Sequence, residues 1–447
     1  MAAQTKKSGF RNFMDRIPGD KVIWIIVILL MLLSIVTIFS STTYLVKENV
    51  TRMSIFKDQM MIVGVGFLII VICCAIPKIW VFRFFSQFGF LVSVVMLTML
   101  VLGINVDTRN DANRAILIGR FQLNVYEVVK VAMVMYLSWA IHAYKMGELK
   151  LANLLSKRVK WLKWLSKKHW QRIIYIYLPM IITSGEILMG GFSSTVIIGG
   201  IMFLTIIIGG VPWKDIGFLA IAAAIGMACA FGIYKISDGK VFDRFATVEG
   251  RITRFFEDDE KIKELEPGTE EFKKYVDSRR QPESAKVAIK EGGLFGKGPG
   301  KSTQKYTVPL IFSDYMFSFI IEEYGLLIGI LVVILYVSLL ARGSIIARNC
   351  ENPFAKTAVA GLTLLISGQA MLHMYINVDM GPLTGQTLPL ISHGNSSFLC
   401  FCVAFGILLS ISKMTQKRIE SISKNLEPIT GGTPDVKKNE EQIESKD

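Results

Sequence analysis

The chain alternates long apolar runs with short polar, often basic, connectors. A membrane-crossing helix needs about 20 mostly apolar residues. Ten runs meet that need: Val22–Tyr44, Met60–Ile76, Phe85–Ile104, Val125–Ala143, Ile173–Met189, Phe192–Val211, Ile216–Tyr234, Tyr315–Ala341, Ala355–Val378 and Ser396–Ser412. Pro77 stops the second and Pro212 bounds the sixth. The gap between the fifth and sixth is short and glycine-rich, so the edges of the fourth, fifth and sixth are the softest. The first run exceeds the roughly 7–15 apolar residues of a signal peptide and is followed by no small-residue cleavage site, so it is expected to stay as an anchor. The pattern predicts an all-α polytopic membrane protein with ten transmembrane helices.

Composition agrees. Of 447 residues, 52% are hydrophobic and only 19% charged, against roughly 25% charged in soluble domains. The net charge of +14 fits basic cytoplasmic loops better than a nucleic-acid partner. Lys145, Lys150, Lys157, Arg158, Lys160, Lys163, Lys167, Lys168 and Arg172 crowd the connector between the fourth and fifth runs, opposed only by Glu148. That connector (144–172) is expected in the cytoplasm, which puts the N-terminal tail (1–21), with Lys6, Lys7, Arg11, Arg16 and Lys21, and the C-terminal tail (414–447) there too. Within the connector, Leu149–Trp170 mixes Leu and Trp with Lys at helical spacing. It reads equally as an amphipathic helix on anionic lipid or as a basic loop that only sets topology.

Spans one to seven then occupy 22–235 and spans eight to ten 314–413. Between them, 236–313 forms a large extracytoplasmic loop. It is too long for a connector, and it holds enough apolar and aromatic residues to pack: Phe242, Phe245, Ile252, Phe255, Phe256, Tyr275, Leu294, Phe295, Tyr306 and Leu310. Pro282–Glu291 is expected to be a short helix, with Pro282 in its first turn and Gly292–Gly293 as its stop. The tail from Asn425 has a disordered composition.

Ionisable groups within the apolar runs are functional candidates by default. Glu127 and Lys130, at i,i+3 spacing, share a face of span four; a structural ion pair and the lining of a polar cavity are both open readings. Asp314 begins span eight, where a carboxylate is ordinary at a helix start. Glu322 lies about 12 Å further along that helix, and with Glu323 it needs polar partners, so a hydrated cavity is expected there. His373 in span nine reads as a hydrogen-bonded core residue. No spaced Cys/His set offers a metal site.

Two glycine-rich segments stand out. Gly292–Ser302 is dense in Gly and Lys, but Phe295 stands where a phosphate-binding P-loop needs its first glycine. Its backbone amides, with Lys297 and Lys301, are expected to suit a diphosphate outside the membrane. Gly381–Ser397 is expected to line a cavity or be buried in protein.

Together these segments resemble the SEDS family (shape, elongation, division and sporulation), FtsW and RodA. GGLFGKGPGKSTQ at 292–304 is similar to the family's GGLFGKGLGxGTQ, SDYMFSFIIEEYG at 313–325 to TDFIFAVLAEELG, and LTGQTLPLISHGNSS at 383–397 to VTGxPLPxxSYGGSS. ANRAILIGRFQLNVYEVVK at 112–130 is a looser match to GARRWIxLGxxxFQPSExxK. The family's Trp falls on Ala115, its Gln-Pro-Ser on Asn124, Val125 and Tyr126, and its Asn on His373. Its QPDLGTA motif is barely visible at 189–195. The pattern looks closer to a divergent FtsW than to RodA.

The resemblance implies polymerisation of lipid II into glycan strands at the outer face of a bacterial cytoplasmic membrane, for division or elongation. It implies a class B penicillin-binding transpeptidase partner and other divisome membrane proteins. Asp314 takes the place of the family's essential aspartate, here the base that accepts the proton of the acceptor's 4-hydroxyl. Glu127, Lys130, Lys297, Gln304, Thr384, Ser392, Ser396 and Ser397 fall on motif positions expected to bind substrate, with Lys297 and Lys130 meeting the departing diphosphate. The polyprenyl tail calls for a lateral apolar groove. No cofactor is implied, and assistance by a divalent cation is open. Two other readings use the same residues: a flippase or transporter of the lipid-linked precursor, and a non-catalytic division scaffold.

Overall fold

The computed structural model describes residues 18–42, 51–109, 112–119, 121–149, 163–164, 166–237, 269–308 and 311–430. The expectations for the N-terminal tail, most of Leu149–Trp170, Phe242, Phe245, Ile252, Phe255, Phe256 and Leu310, and the end of the C-terminal tail lie outside them.

The chain is mostly helical. In order it forms α1 (Lys21–Ser41), α2 (Arg52–Ala75), α3 (Ile79–Val101), α4 (Val125–Met146), α5 (Lys168–Gly190), α6 (Phe192–Ile208), α7 (Trp213–Ile236), α8 (Glu270–Gly292), α9 (Met316–Asn349), α10 (Pro353–Asn377) and α11 (Asn395–Thr430). Among the described residues nine of these are long and apolar enough to cross a bilayer, and α6 is a shorter apolar helix. The protein is a multi-pass membrane protein.

Local chemistry sets the helix ends. Asp20 caps α1 by accepting from the amides of Val22 and Ile23, and its carboxylate also pairs with Arg342 of α9, which joins the first span to α9. Asn124 caps α4, whose far end is closed by Gly147 in the left-handed region. Asn352 caps α10 with Pro353 in the first turn.

Three features correct the all-α expectation and its boundaries. The stretch before α4 is a three-stranded antiparallel sheet: β1 (Val106–Arg109), β2 (Ala112–Ile118) and β3 (Phe121–Asn124). Ile116 stands opposite Val106 on one side and Leu123 on the other, with a bulge between Asp107 and Thr108. The sheet runs straight into α4 and fixes where that helix starts. α8 begins at Glu270, so Pro282 sits in its interior rather than its first turn. The expected stop at Gly292 holds. α11 continues to Thr430, into the stretch from Asn425 whose composition reads as disordered.

Burial identifies the centre. The apolar window of α4 is 89% buried by protein, and those of α10 and α11 67%, against 17% for α7. α4 is therefore surrounded by other helices, while α7 buries only Ile216, Leu219 and Ala230. One core joins α1, α2, α9, α10 and α11, and a second joins α3, α4, α5 and α6. α4 borders both, and charged groups on it must find partners among α10, α11 and the segment linking them.

Candidate active site

Lys130 is buried to 1% exposure. Its ammonium reaches Glu127 Oε1, Gln369 Oε1 and Gln386 Oε1, each at 2.7 Å. Three N–H donors meet three oxygens from α4, α10 and the 378–394 segment, so the charge is fully satisfied. Gln369 Nε2 donates to the Thr387 carbonyl at 3.0 Å, which turns the amide oxygen toward Lys130. His373 Nδ1 bonds the Gln386 carbonyl at 2.7 Å, as the hydrogen-bonded core reading predicts. Neither glutamine was singled out by sequence, although Gln386 lies in the quoted 383–397 motif.

The hydroxyls of that motif pin the segment from several sides. Thr387 Oγ1 bonds Ser397 Oγ at 2.8 Å, and Ser396 Oγ accepts from the Asn124 amide at 3.1 Å, tying α11 to the end of the sheet. Ser392 Oγ donates to the Ser313 carbonyl at 2.8 Å, and the His393 amide donates to the Phe312 carbonyl at 2.9 Å. Tyr336 of α9 donates its hydroxyl to the Pro389 carbonyl. Thr384 Oγ1 is buried without a hydrogen-bond partner among the described residues.

These contacts place Asp314, half-buried in the turn just before α9. Ser313 Oγ donates to Asp314 Oδ1 at 2.8 Å. Asn377, from the end of α10, donates to the Asp314 carbonyl at 3.1 Å and accepts from the Ser318 amide at 3.1 Å. The first turn of α9 thus takes a capping acceptor from another helix. Sequence reading missed Asn377; only its polarity at the end of an apolar run marked it.

The other glycine-rich segment, at 292–304, does other work. α9 breaks at Gly325, where φ is 86° and ψ 168°. A continuous helix would pair the Leu326 and Leu327 amides with the Glu322 and Glu323 carbonyls. Instead those carbonyls accept from the Lys297 and Gly298 amides at 2.8 and 2.9 Å. The Leu326 and Leu327 amides donate to the Gly293 and Leu294 carbonyls at 2.9 and 3.4 Å. The loop after α8 replaces the bonds the break removes, which matters where water is scarce. Backbone meets backbone so closely that a Cβ on Gly292 would stand 2.1 Å from the Ile321 oxygen, on Gly296 2.3 Å from the Glu323 oxygen, and on Gly325 2.3 Å from the Leu294 oxygen.

The same loop encloses Glu322 and Glu323, both fully buried. Glu322 Oε1 accepts from Lys297 Nζ at 3.0 Å, the Thr303 amide at 2.8 Å, Thr303 Oγ1 at 3.0 Å and the Gln304 amide at 3.3 Å; Oε2 accepts from Ser302. Glu323 Oε1 accepts from Ser40 Oγ at 2.6 Å and the Ser302 amide at 3.3 Å, with Lys305 Nζ at 3.6 Å. The carboxylates meet protein donors: the Lys297 ammonium and the Ser302, Thr303 and Gln304 amides reach their oxygens, while the Lys297 and Gly298 amides go to the Glu322 and Glu323 backbone carbonyls. Lys297 also pairs with Glu291, and Gln304 lies on this loop, not in the Lys130 network. Hydrogen bonding to Lys297 holds the Glu291 carboxyl below the usual carboxylate range. Burial works to lower Lys297 but is outweighed by its bonds to Glu291 and Glu322, which hold the ammonium above the usual lysine range.

An apolar cavity of about 220 Å³ opens between α3, α4 and α11. Phe82, Phe85, Ser86 and Gly89 line it from α3, Val128, Val131, Ala132 and Met135 from α4, and Cys400, Val403 and Ile407 from α11. Among the described residues no three His, Cys, Asp or Glu side chains gather as metal ligands.

A sequence model of the cell cycle protein family FtsW/RodA/SpoVE matches residues 20–417. The chain belongs to that family. It is 28% identical over 391 residues to a protein of Bacillus subtilis named a probable peptidoglycan glycosyltransferase FtsW, covering 86% of this chain and 88% of that one. A namesake from Coxiella burnetii is 27% identical over 372 residues, covering 81% and 87%. The alignment with the Caulobacter vibrioides FtsW, 30% identical over 214 residues, takes in 48% of this chain and spans about half of that relative. Among solved structures, a peptidoglycan synthase complex that coordinates polymerization and crosslinking contains a chain with the same fold, at TM-score 0.61 and 17% identity over 89% of this chain and 98% of the other. Thermus thermophilus RodA, a rod shape determining protein, matches at TM-score 0.55 and 17% identity, over 89% and 98%.

Proposed function

We propose that this protein is a peptidoglycan glycosyltransferase that polymerises lipid II by inverting transfer at the outer face of a bacterial cytoplasmic membrane. The observation that carries the reading is the placement of Asp314. Its turn is held by Ser392 and His393, from the 383–397 segment whose motif matches the family, and by Asn377 at the end of α10.

The chemistry asks for one displacement. Asp314 accepts the proton of the acceptor sugar's 4-hydroxyl as that oxygen attacks the donor's anomeric carbon. The α-linked diphosphate leaves with its electron pair, and a β-1,4 bond forms. A placed carboxylate base contributes roughly 10²–10⁴-fold. Lys130 serves the leaving diphosphate. Two of its three acceptors are neutral amides, which an anionic oxygen outcompetes. Thr384, Ser392, Ser396 and Ser397 line the path of the sugar head, and the cavity between α3, α4 and α11 takes part of the polyprenyl tail. Lys297 and Gln304 act from outside this path. Ten spans with both termini in the cytoplasm and 236–313 outside put Asp314 at the outer boundary. A class B penicillin-binding transpeptidase is the expected partner, since a related fold occurs in a synthase complex that crosslinks as well as polymerises.

Purified protein in liposomes, given lipid II with and without the transpeptidase, tests this. Wild type should yield polymer and Asp314→Asn none, with lipid II binding retained. Normal polymer from the variant overturns the assignment of the base. Translocation of lipid II without polymer selects the transporter reading, and complementation of division by the inactive variant selects the scaffold.

A further inference from the structure

The helix that follows Asp314 is a separate short piece. Residues 316–324 are helical, and Gly325 then breaks the ladder before the rest of α9 resumes. The continuous helix therefore does not fix the direction of this piece, nor of the turn before it. Two attachments do. Asn377 holds its start, and the 292–304 loop holds its end by filling the break.

What secures the loop is electrostatic. Glu322 projects from the last turn of the short helix and is completely buried. Among the described residues the cation on it is Lys297, at 3.0 Å. A buried carboxylate without a cation is strongly unfavourable. The amide of the same Lys297 donates to the Glu322 carbonyl at 2.8 Å, so one residue closes the joint through backbone and side chain together. Its ammonium donates to Glu291, Glu322 and Thr303, which uses all three donors. Two of those acceptors are carboxylates that a diphosphate oxygen has no advantage in displacing.

We propose that Lys297 is a positioning residue for the glycosyl transfer: by neutralising Glu322 it locks the 292–304 loop into the break at Gly325, and so fixes the 316–324 helix and the Asp314 turn at its head. The inference rests on the reading of Asp314 as the base. Glu322 lies eight residues from Asp314, about 12 Å along a helix, so Lys297 acts through the helix and not by touching substrate.

The test compares wild type, Lys297→Arg, Lys297→Met, Glu322→Gln and the double variant Lys297→Met/Glu322→Gln, all as full chains in liposomes with lipid II. Two quantities are read: kcat and KM for polymerisation, and amide hydrogen exchange across 316–324. Lys297→Met should lower kcat by about 100-fold, the scale of a misplaced catalytic group, with KM changed less than about threefold. Exchange in 316–324 should quicken by about tenfold or more. Lys297→Arg should stay close to wild type. The double variant, which removes the ammonium and the charge it neutralises, should recover most of both losses. A rise in KM of about tenfold or more with exchange unchanged, or a double variant no better than Lys297→Met, overturns the proposal and makes Lys297 a substrate ligand. If Lys297→Met does not fold, the double variant decides: folded and active supports the proposal, while folded and inactive, or unfolded, overturns it. If wild type makes no polymer, the catalytic reading fails on that result alone, and the exchange comparison still decides whether Lys297 holds the joint.

Discussion

The side-chain amide of Asn377 donates to the backbone carbonyl of Asp314 at 3.1 Å, joining the end of α10 to the turn that carries the candidate base. The same carboxamide accepts from the amide and hydroxyl of Ser318 at 3.1 and 2.8 Å, and Asn377 is fully buried. Asn377→Ala should remove the donor to the Asp314 carbonyl and the acceptor of the Ser318 amide and hydroxyl. The expected cost is about 1–3 kcal/mol, read as a lowered thermal midpoint in detergent. Polymerisation should fall more than stability accounts for, by about 100-fold in kcat, because the base is displaced. An unchanged rate in a destabilised variant would mean that Asn377 only holds the fold.

The glycine motifs make a sharper prediction. Gly292→Ala, Gly296→Ala and Gly325→Ala each put a Cβ within 2.1–2.3 Å of backbone atoms that cannot yield without opening the joint. Each should cost more than about 3 kcal/mol, beyond what ordinary surface substitutions do. Gly293→Ala meets nothing within 4 Å and carries only a left-handed φ of 52°, so its cost should be about 1–2 kcal/mol. Thermal unfolding of the four variants checks the ranking. Equal losses would show that the joint gives way easily.

Much of this architecture was legible in the residues. The apolar runs find each apolar helix, because a bilayer demands a length that few sequences reach by accident, but not every end: α2 begins at Arg52 rather than Met60, and α9 and α11 run on to Asn349 and Thr430, past Ala341 and Ser412. The i,i+3 spacing of Glu127 and Lys130 gives their pairing directly. The sheet was harder: β2 has alternating Ile116 and Ile118 and a turn at Gly119, but a bulge between Asp107 and Thr108 interrupts the pattern of its partner. The break at Gly325 was not legible, since one glycine inside a long apolar run is ordinary in a membrane helix. Its cause is a loop that arrives from elsewhere in the chain. The partners of Lys297 were hidden for the same reason. The carboxylates it pairs with lie six and twenty-five residues away in the chain.

The pair of Lys297 with Glu291 sets a pH window for the loop. Glu291 is held below the usual carboxylate range, first by its hydrogen bond to Lys297. Its contribution is therefore present above its unfolded pKa, about 4.3, and is lost as pH falls through the lowered folded value. Lys297 is held above the usual range, with burial opposing and the carboxylates prevailing. Its contribution is complete below about 10.4 and is lost as pH rises through the raised folded value. Protection of the Lys297 and Gly298 amides from exchange, corrected for intrinsic rate, should be flat from about pH 5 to 9 and fall outside both limits. Glu291→Gln should weaken the acid-side loss and leave the alkaline one. A protection step near neutral pH would show that another group controls the loop.

Glu127 and Lys130 were open to two readings, a structural pair or the lining of a reactive cavity, and a double-variant cycle separates them. Glu127→Leu leaves a buried ammonium with only two amide oxygens and should cost about 3–5 kcal/mol. Lys130→Met leaves a buried carboxylate and should cost a similar amount. Together, Glu127→Leu/Lys130→Met removes both charges in a site of unchanged volume, and most of the stability should return. If the pair were structural, activity would return with it. If Lys130 receives the leaving diphosphate, the restored fold should stay inactive, with kcat down by about 10²–10³-fold, the scale for losing one charge-stabilising donor. Thermal midpoints and lipid II polymerisation on the same three preparations give both readouts. Recovery of the two together would remove Lys130 from the chemistry.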